Sequence, residues 1–221
     1  MAKRNPAPFN TRCSLQGMKD LGEFINKDKS LRKRVENLGF EKLLNIGCTK
    51  FPKDLVYEIV KGYDGPSNQL ELRRKIIQIT PDNVESLLGV RSGGVKVDLD
   101  VSKEKVDKMR KKVGLLAHGD ILDKIKMKDS DFELYFMLYI LGAFLCPTGS
   151  GIVSESLLKL MASTDKKWER YDWATYVLED LSSNVLKFQQ EKEVGTGSES
   201  KSLGGCIYFL LVMMCFCIIQ F

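Results

Sequence analysis

At 221 residues, with 43% apolar and 29% charged side chains, the chain has the make-up of an ordinary globular protein, long enough for one large domain or two small ones. That composition excludes a mostly disordered or collagen-like chain. The formal net charge of +5 is compatible with nuclear targeting or weak nucleic-acid contact, but no recognised nucleic-acid-binding module accompanies it. The basic clusters are Lys3 and Arg4, Arg32 to Arg34, Arg73 to Lys75 and Arg110 to Lys112, and Glu36, Glu41, Glu104 and Asp107 lie among them as on any solvated helix face.

The six cysteines lack a Cys-x-x-Cys spacing and His118 is the single histidine, which argues against a zinc site and for reduced thiols in an intracellular compartment. MAKRNPAPFN has no apolar segment behind its basic residues and is not a secretory signal. Residues 1–11, with Pro6 and Pro8, read as a flexible lead-in.

In chain order, Leu15, Met18, Leu21, Phe24 and Ile25 recur at helical spacing and predict a helix over 14–25 with one buried face. Gly17 and Gly22 fit it poorly. A second helical region, 31–44, is broken at Gly39; a third, 52–60, opens on Pro52, which suits a first helical turn. Leu70, Leu72, Ile77 and Ile79 alternate with polar residues and predict a strand over 70–79. Thr80, Pro81 and Asp82 then form a strong helix start, with a cap, a tolerated proline and a favourable charge. After Arg91-Ser92-Gly93-Gly94, the residues Val95, Val97 and Leu99 predict a second short strand that pairs with the first in a small hairpin.

Residues 102–113 read as a charged helix and 119–127 as a short one with Ile121, Leu122 and Ile125 inward. Ser130 and Glu133 have capping-box spacing. The segment they introduce, 131–145, is apolar on nearly every face and reads as a central core helix, too short for a membrane span. The corner Cys146-Pro147-Thr148-Gly149-Ser150-Gly151 lacks the lysine of a phosphate-binding loop and the first glycine of a nucleophile elbow. It reads as punctuation, with Pro147 stopping the helix, Gly149 and Gly151 allowing positive φ, and Ser154 capping a helix over 154–161. A long amphipathic helix over 172–190 carries Trp173, Val177, Leu181, Val185 and Phe188 on one stripe, and residues 189–202 form a polar loop.

The fold class expected from these elements is mainly α, a multi-helix globular domain with one small β-hairpin, in which residues 12–188 form the body. No residue presents itself as catalytic, cofactor-binding or metal-ligating.

The blocks RCSLQGMKDLGEFI, VENLGFEKLLNIGCTKFPKDLVYEIVKGYD, ITPDNVESLLGVRSGGVKV, YILGAFLCPTGSGIVSESLLKLM and YDWATYVLEDLSSNVLKFQ, followed by SLGGCIYFLL, together resemble the plant mobile domain family, often labelled aminotransferase-like. The resemblance runs from about Arg12 to Leu211. It implies a mainly helical, transposon-related domain without established catalytic residues or cofactor, some of whose relatives act in the nucleus in gene silencing and meristem maintenance. Its partners would be other proteins, with chromatin or nucleic acid weakly supported and no small-molecule substrate. The aminotransferase label would demand a Schiff-base lysine, an acidic partner for the pyridine nitrogen and a phosphate cup, and no such set stands out. The family pattern also implies that this chain is a copy cut short at its C-terminal end.

The final apolar segment, 203–221, has two readings: a last helix of the domain docked beside 131–145, or a tail anchor that places the protein in a membrane. A helix of that length covers roughly 24 to 28 Å against a hydrocarbon layer of about 30 Å, and Gln220 and the terminal carboxylate would have to cross. The core reading is preferred.

Overall fold

A computed structural model describes residues 9–72, 74–127, 130–149, 151–164, 166–193 and 201–220. The architecture is mainly α. Strand β1 (Phe9–Thr11) leads into α1 (Leu15–Asn26), α2 (Lys29–Leu38), a 3-10 turn (Glu41–Asn45) and α3 (Lys53–Gly62). A small antiparallel sheet follows, β2 (Tyr63–Asp64), β3 (Gln69–Leu72) and β4 (Lys75–Gln78), and then α4 (Pro81–Leu88), α5 (Lys103–Val113) and α6 (His118–Lys126). Helix α7 (Phe132–Ile140) runs on as a π-helical turn, Leu141–Leu145. The chain closes with α8 (Glu155–Ser163), a 3-10 turn (Trp168–Arg170), α9 (Trp173–Glu193), β5 (Lys201–Leu203) and α10 (Ile207–Gln220).

Helix α7 is the centre of the core. Phe132 and every residue from Leu134 to Leu145 are buried, because α2, α6 and α8 pack on the helix and α1 packs on its π-helical end. Burial of each large side chain contributes about 1.5–3 kcal/mol, so this one segment accounts for a large share of the hydrophobic stabilisation. The polar exception is Glu133, whose two carboxylate oxygens accept from Nε and Nη2 of Arg34 on α2. The same guanidinium lies 4.6 Å from the centroid of the Phe132 ring. Glu133 therefore fastens two helices together instead of completing the capping box expected from its spacing to Ser130; Asp131 holds the N-cap position.

The glycines in α1 have a packing reason. A Cβ at Gly22 would collide with the backbone carbonyl of Leu44, and one at Gly17 with the Tyr139 hydroxyl. Their helix-propensity cost of about 1 kcal/mol each is offset by the close approach of the 3-10 turn and α7.

The hairpin exists but not where the sequence placed it. The alternating run folds back on itself: Leu70 pairs with Ile77 and Leu72 with Lys75, with Arg74 at φ 67 in the connection. The segment around 95–99 forms no strand; Val95 makes a single parallel bridge to Tyr171. Val95, Val97 and Leu99 have the alternation of a partner strand, but the short connection after Leu72 makes the nearer pairing cheaper in chain entropy. Residues expected as lead-in also carry structure, since Phe9, Asn10 and Thr11 pair in parallel with Lys201, Ser202 and Leu203. Of the predicted polar loop 189–202, residues 189–193 continue α9 and 201–203 form β5, while 194–200 and the lead-in residues 1–8 lie outside the described residues.

Helix α10 has 14 residues and packs on α3 and α4. Ile207, Phe209, Leu210, Met213, Met214 and Cys217 are buried, and the Tyr208 ring lies 5.6 Å from that of Phe144 at the end of α7. Among the described residues no helix is long and apolar enough to cross a membrane.

Candidate functional site

The corner after α7 behaves as the sequence predicts in outline. Cys146 N–H donates to the Leu141 carbonyl at 2.8 Å, closing the π turn, and Thr148 N–H donates to the Gly142 carbonyl at 3.1 Å. The Ser154 hydroxyl accepts from Leu157 N–H at 3.2 Å and caps α8. Gly151 sits at φ 66, whereas Gly149 is not among the residues of positive φ. Its role is proximity: a Cβ there would lie 3.1 Å from Cζ of Arg12. The guanidinium of Arg12 reaches this position because β1 is held beside β5, and its Nε donates to the Ser202 hydroxyl at 2.9 Å.

Behind the corner is a polar pocket of about 270 Å³. The corner supplies Cys146, Thr148 and Gly149, α8 supplies Ser156 and its cap Ser154, and α9 supplies Tyr176, Asp180, Asn184 and Lys187, one face of that helix at helical spacing. Arg12 closes the remaining side. Asp180 is the unusual member. Its Oδ2 is buried and has no hydrogen-bond partner among the described residues. Burial raises its pKa to about 6 against the attraction of Asn184, Lys187 and Arg12, which favours the charged form. Burial also raises the Cys146 thiol and the Tyr176 hydroxyl well above their ordinary values, with the nearby Asp180 charge acting in the same direction. A thiol kept protonated is a poor nucleophile. Neither Arg12 nor Lys187 has an ion-pair partner among the described residues.

His118 does not join this group. Its N–H backbone donor bonds the Gly151 carbonyl at 3.0 Å, so it helps hold the corner, but its ring stacks edge-on against Tyr139 at 6.3 Å and does not line the pocket. Its Nε2 is buried without a partner among the described residues, and burial lowers its pKa.

A second concavity of about 530 Å³ lies between α5 and α8. Lys105, Lys108 and Lys112 on one face of α5, with Lys166 beyond α8, surround a floor of Met109, Met161 and Ala162. Lys112 bonds Asp131 at 2.6 Å and Lys166 lies 3.6 Å from the same carboxylate. These bonds raise the Lys112 pKa and lower that of Asp131. One carboxylate thus serves two of the four lysines at the rim. Arg110, from the same basic run, is occupied by Asp107 at 2.9 Å and Glu155 at 3.3 Å. The groove was half visible in the sequence, because Lys105, Lys108 and Lys112 recur at three and four residues. The contribution of Lys166, at φ 62 after α8, required the fold.

Among the described residues no group of three or more His, Cys, Asp or Glu side chains could hold a metal ion. All six cysteines are free thiols. Comparison with curated proteins and with solved structures finds no match. By its match over residues 11–211, the chain belongs to the family described as Domain of unknown function (DUF8566).

Proposed function

We propose that this protein is a non-catalytic interaction module of the plant mobile domain kind, transposon-related, working in the nucleus in gene silencing or meristem maintenance. The resemblance over Arg12 to Leu211 supports the family setting. The observation that carries the binding role is the lysine-rimmed, methionine-floored groove between α5 and α8.

Its chemistry favours an acidic protein segment with an apolar anchor. Glutamate or aspartate side chains would meet Lys105 and Lys108, while a leucine or phenylalanine would bury against Met109 and Met161, an adaptable sulfur-rich floor. A nucleic-acid backbone would use the charge but not the floor. The groove also offers lysines and no arginine fork, the group best matched to phosphate.

The test is fluorescence anisotropy with a labelled peptide of alternating glutamate and leucine and, separately, a DNA oligonucleotide of equal charge. The peptide is expected to bind with a Kd of about 1–100 μM, and the Lys105→Glu/Lys108→Glu double variant to bind about tenfold more weakly, a loss of about 1.4 kcal/mol. Equal binding by the double variant, or preference for the oligonucleotide, would refute the reading. For the nuclear setting, an N-terminally tagged chain imaged in cells should concentrate in the nucleus; retention in membranes that resist carbonate extraction would contradict it.

A further inference from the structure

The polar pocket behind the 146–149 corner is a separate place on the molecule from the groove, and its chemistry points to a different class of ligand. Its lining is polar apart from Cys146, Pro147, Gly149, Leu157 and Leu160. Its volume of about 270 Å³ falls below the roughly 300 Å³ at which pockets begin to hold drug-sized molecules, so its occupant is small.

Two features have to be satisfied together. Asp180 presents a buried oxygen that lacks a donor among the described residues, and an unpartnered buried acceptor costs about 1–3 kcal/mol, more when charged. Arg12 and Lys187, which face the same space, attract Asp180 across it but make no ion pair among the described residues. A simple anion would answer the two cations and leave Asp180 both orphaned and closer to negative charge. A simple cation would answer Asp180 and meet repulsion from Arg12 and Lys187. Among the described residues a metal ion has no ligand set here. A molecule carrying an ammonium and a carboxylate answers both demands, and the Tyr176 hydroxyl on the same wall is placed to orient it.

We propose that this pocket binds a small zwitterion of amino-acid size, its ammonium on Asp180 and its carboxylate between Arg12 and Lys187. The corner gives the site its shape. Gly149 leaves room for the guanidinium to lie against the backbone, and the β1 to β5 pairing fixes the residue that carries it. Gly204, where a Cβ would collide with the Asn184 amide, lets the segment after β5 approach the same face of α9.

The experiment is isothermal titration calorimetry on the full chain at neutral pH with glycine, β-alanine and γ-aminobutyrate, a series in which the two charges move apart. Acetate and methylammonium serve as the separated halves. One member of the series is expected to bind with a Kd below about 1 mM, with each half at least tenfold weaker. Asp180→Asn and, independently, the exposed Lys187→Met should each weaken the same zwitterion at least tenfold, with melting by circular dichroism showing that both variants fold. The proposal is overturned if none of the three zwitterions binds, if acetate alone binds as tightly as any of them, or if the folded Asp180→Asn variant binds with undiminished affinity. None of these results bears on the groove, whose test uses other residues and another ligand.

Discussion

Asp180 and His118 are both half-buried titratable groups with a buried, orphaned atom, yet they bias stability in opposite directions as pH changes. Asp180 has its folded pKa raised from 3.8 to about 6, so between those values the native state holds the proton more often than the unfolded chain. Its contribution to stability is therefore most unfavourable above pH 6 and is relieved as pH falls through 6 towards 3.8, by an amount on the order of 3 kcal/mol. His118 has its folded pKa lowered by burial from 6.5, so its neutral form is favoured by folding and stability is lost as pH falls below 6.5. Asp180→Asn isolates the first effect. Urea unfolding should find this variant more stable than the wild type near neutral pH by about 1–3 kcal/mol, with the difference vanishing near pH 4; a constant difference across that range would show that the carboxylate is not desolvated. The sequence gives no sign of this residue, since Asp180 stands beside Glu179 on a helix whose apolar stripe is set by Val177 and Leu181. Only the return of the corner over α9 buries it.

At the scale of elements, helix boundaries follow local chemistry closely. Ser14 accepts from Gly17 N–H, Ser154 from Leu157 N–H, and Asp28 from Ser30 and Leu31 N–H at 2.9 and 3.3 Å. At Thr80 the expected cap works in reverse, with Asn83 Oδ1 accepting from the Thr80 N–H at 2.9 Å. Asp28→Ala should cost about 1 kcal/mol by chemical denaturation, and a loss below a few tenths would mean that packing alone starts α2. The cap at Ser154 was legible because it acts within three residues, and those at Ser14 and Asp28, equally local, were not read from the sequence. The reading failed where a distant residue outbid a near one: Glu133 is taken by Arg34, 99 positions away, and Ile77 pairs with Leu70 and not with the apolar residues beyond Gly94. The tight connection at Arg74, φ 67, carries no glycine or asparagine to announce a hairpin turn.

At the scale of the whole molecule, one core is closed by its two ends. β1 pairs with β5, Arg12 N–H donates to the Leu203 carbonyl at 2.9 Å, and α10 packs on α3 and α4. The central position of α7 was legible from its composition, because a segment with no wet face has to be surrounded. The place of α10 was not, since hydrophobicity alone does not say what covers a helix; in the fold Ile207, Phe209, Leu210, Met213, Met214 and Cys217 pack against the rest of the protein, while Phe216, Ile218 and Ile219 stay exposed. About 21 Å of helix follows from its 14 residues, which is short of the hydrocarbon thickness of about 30 Å. Both proposed sites depend on this closure: Arg12 enters the pocket through the β1 to β5 pair, and the groove rests on α8, which packs on α7. Native-state hydrogen exchange of the full chain tests it directly. Amides of α10 are expected to exchange only with global unfolding, at the same free energy as those of α7; exchange of α10 orders of magnitude faster, with α7 still protected, would contradict a single core.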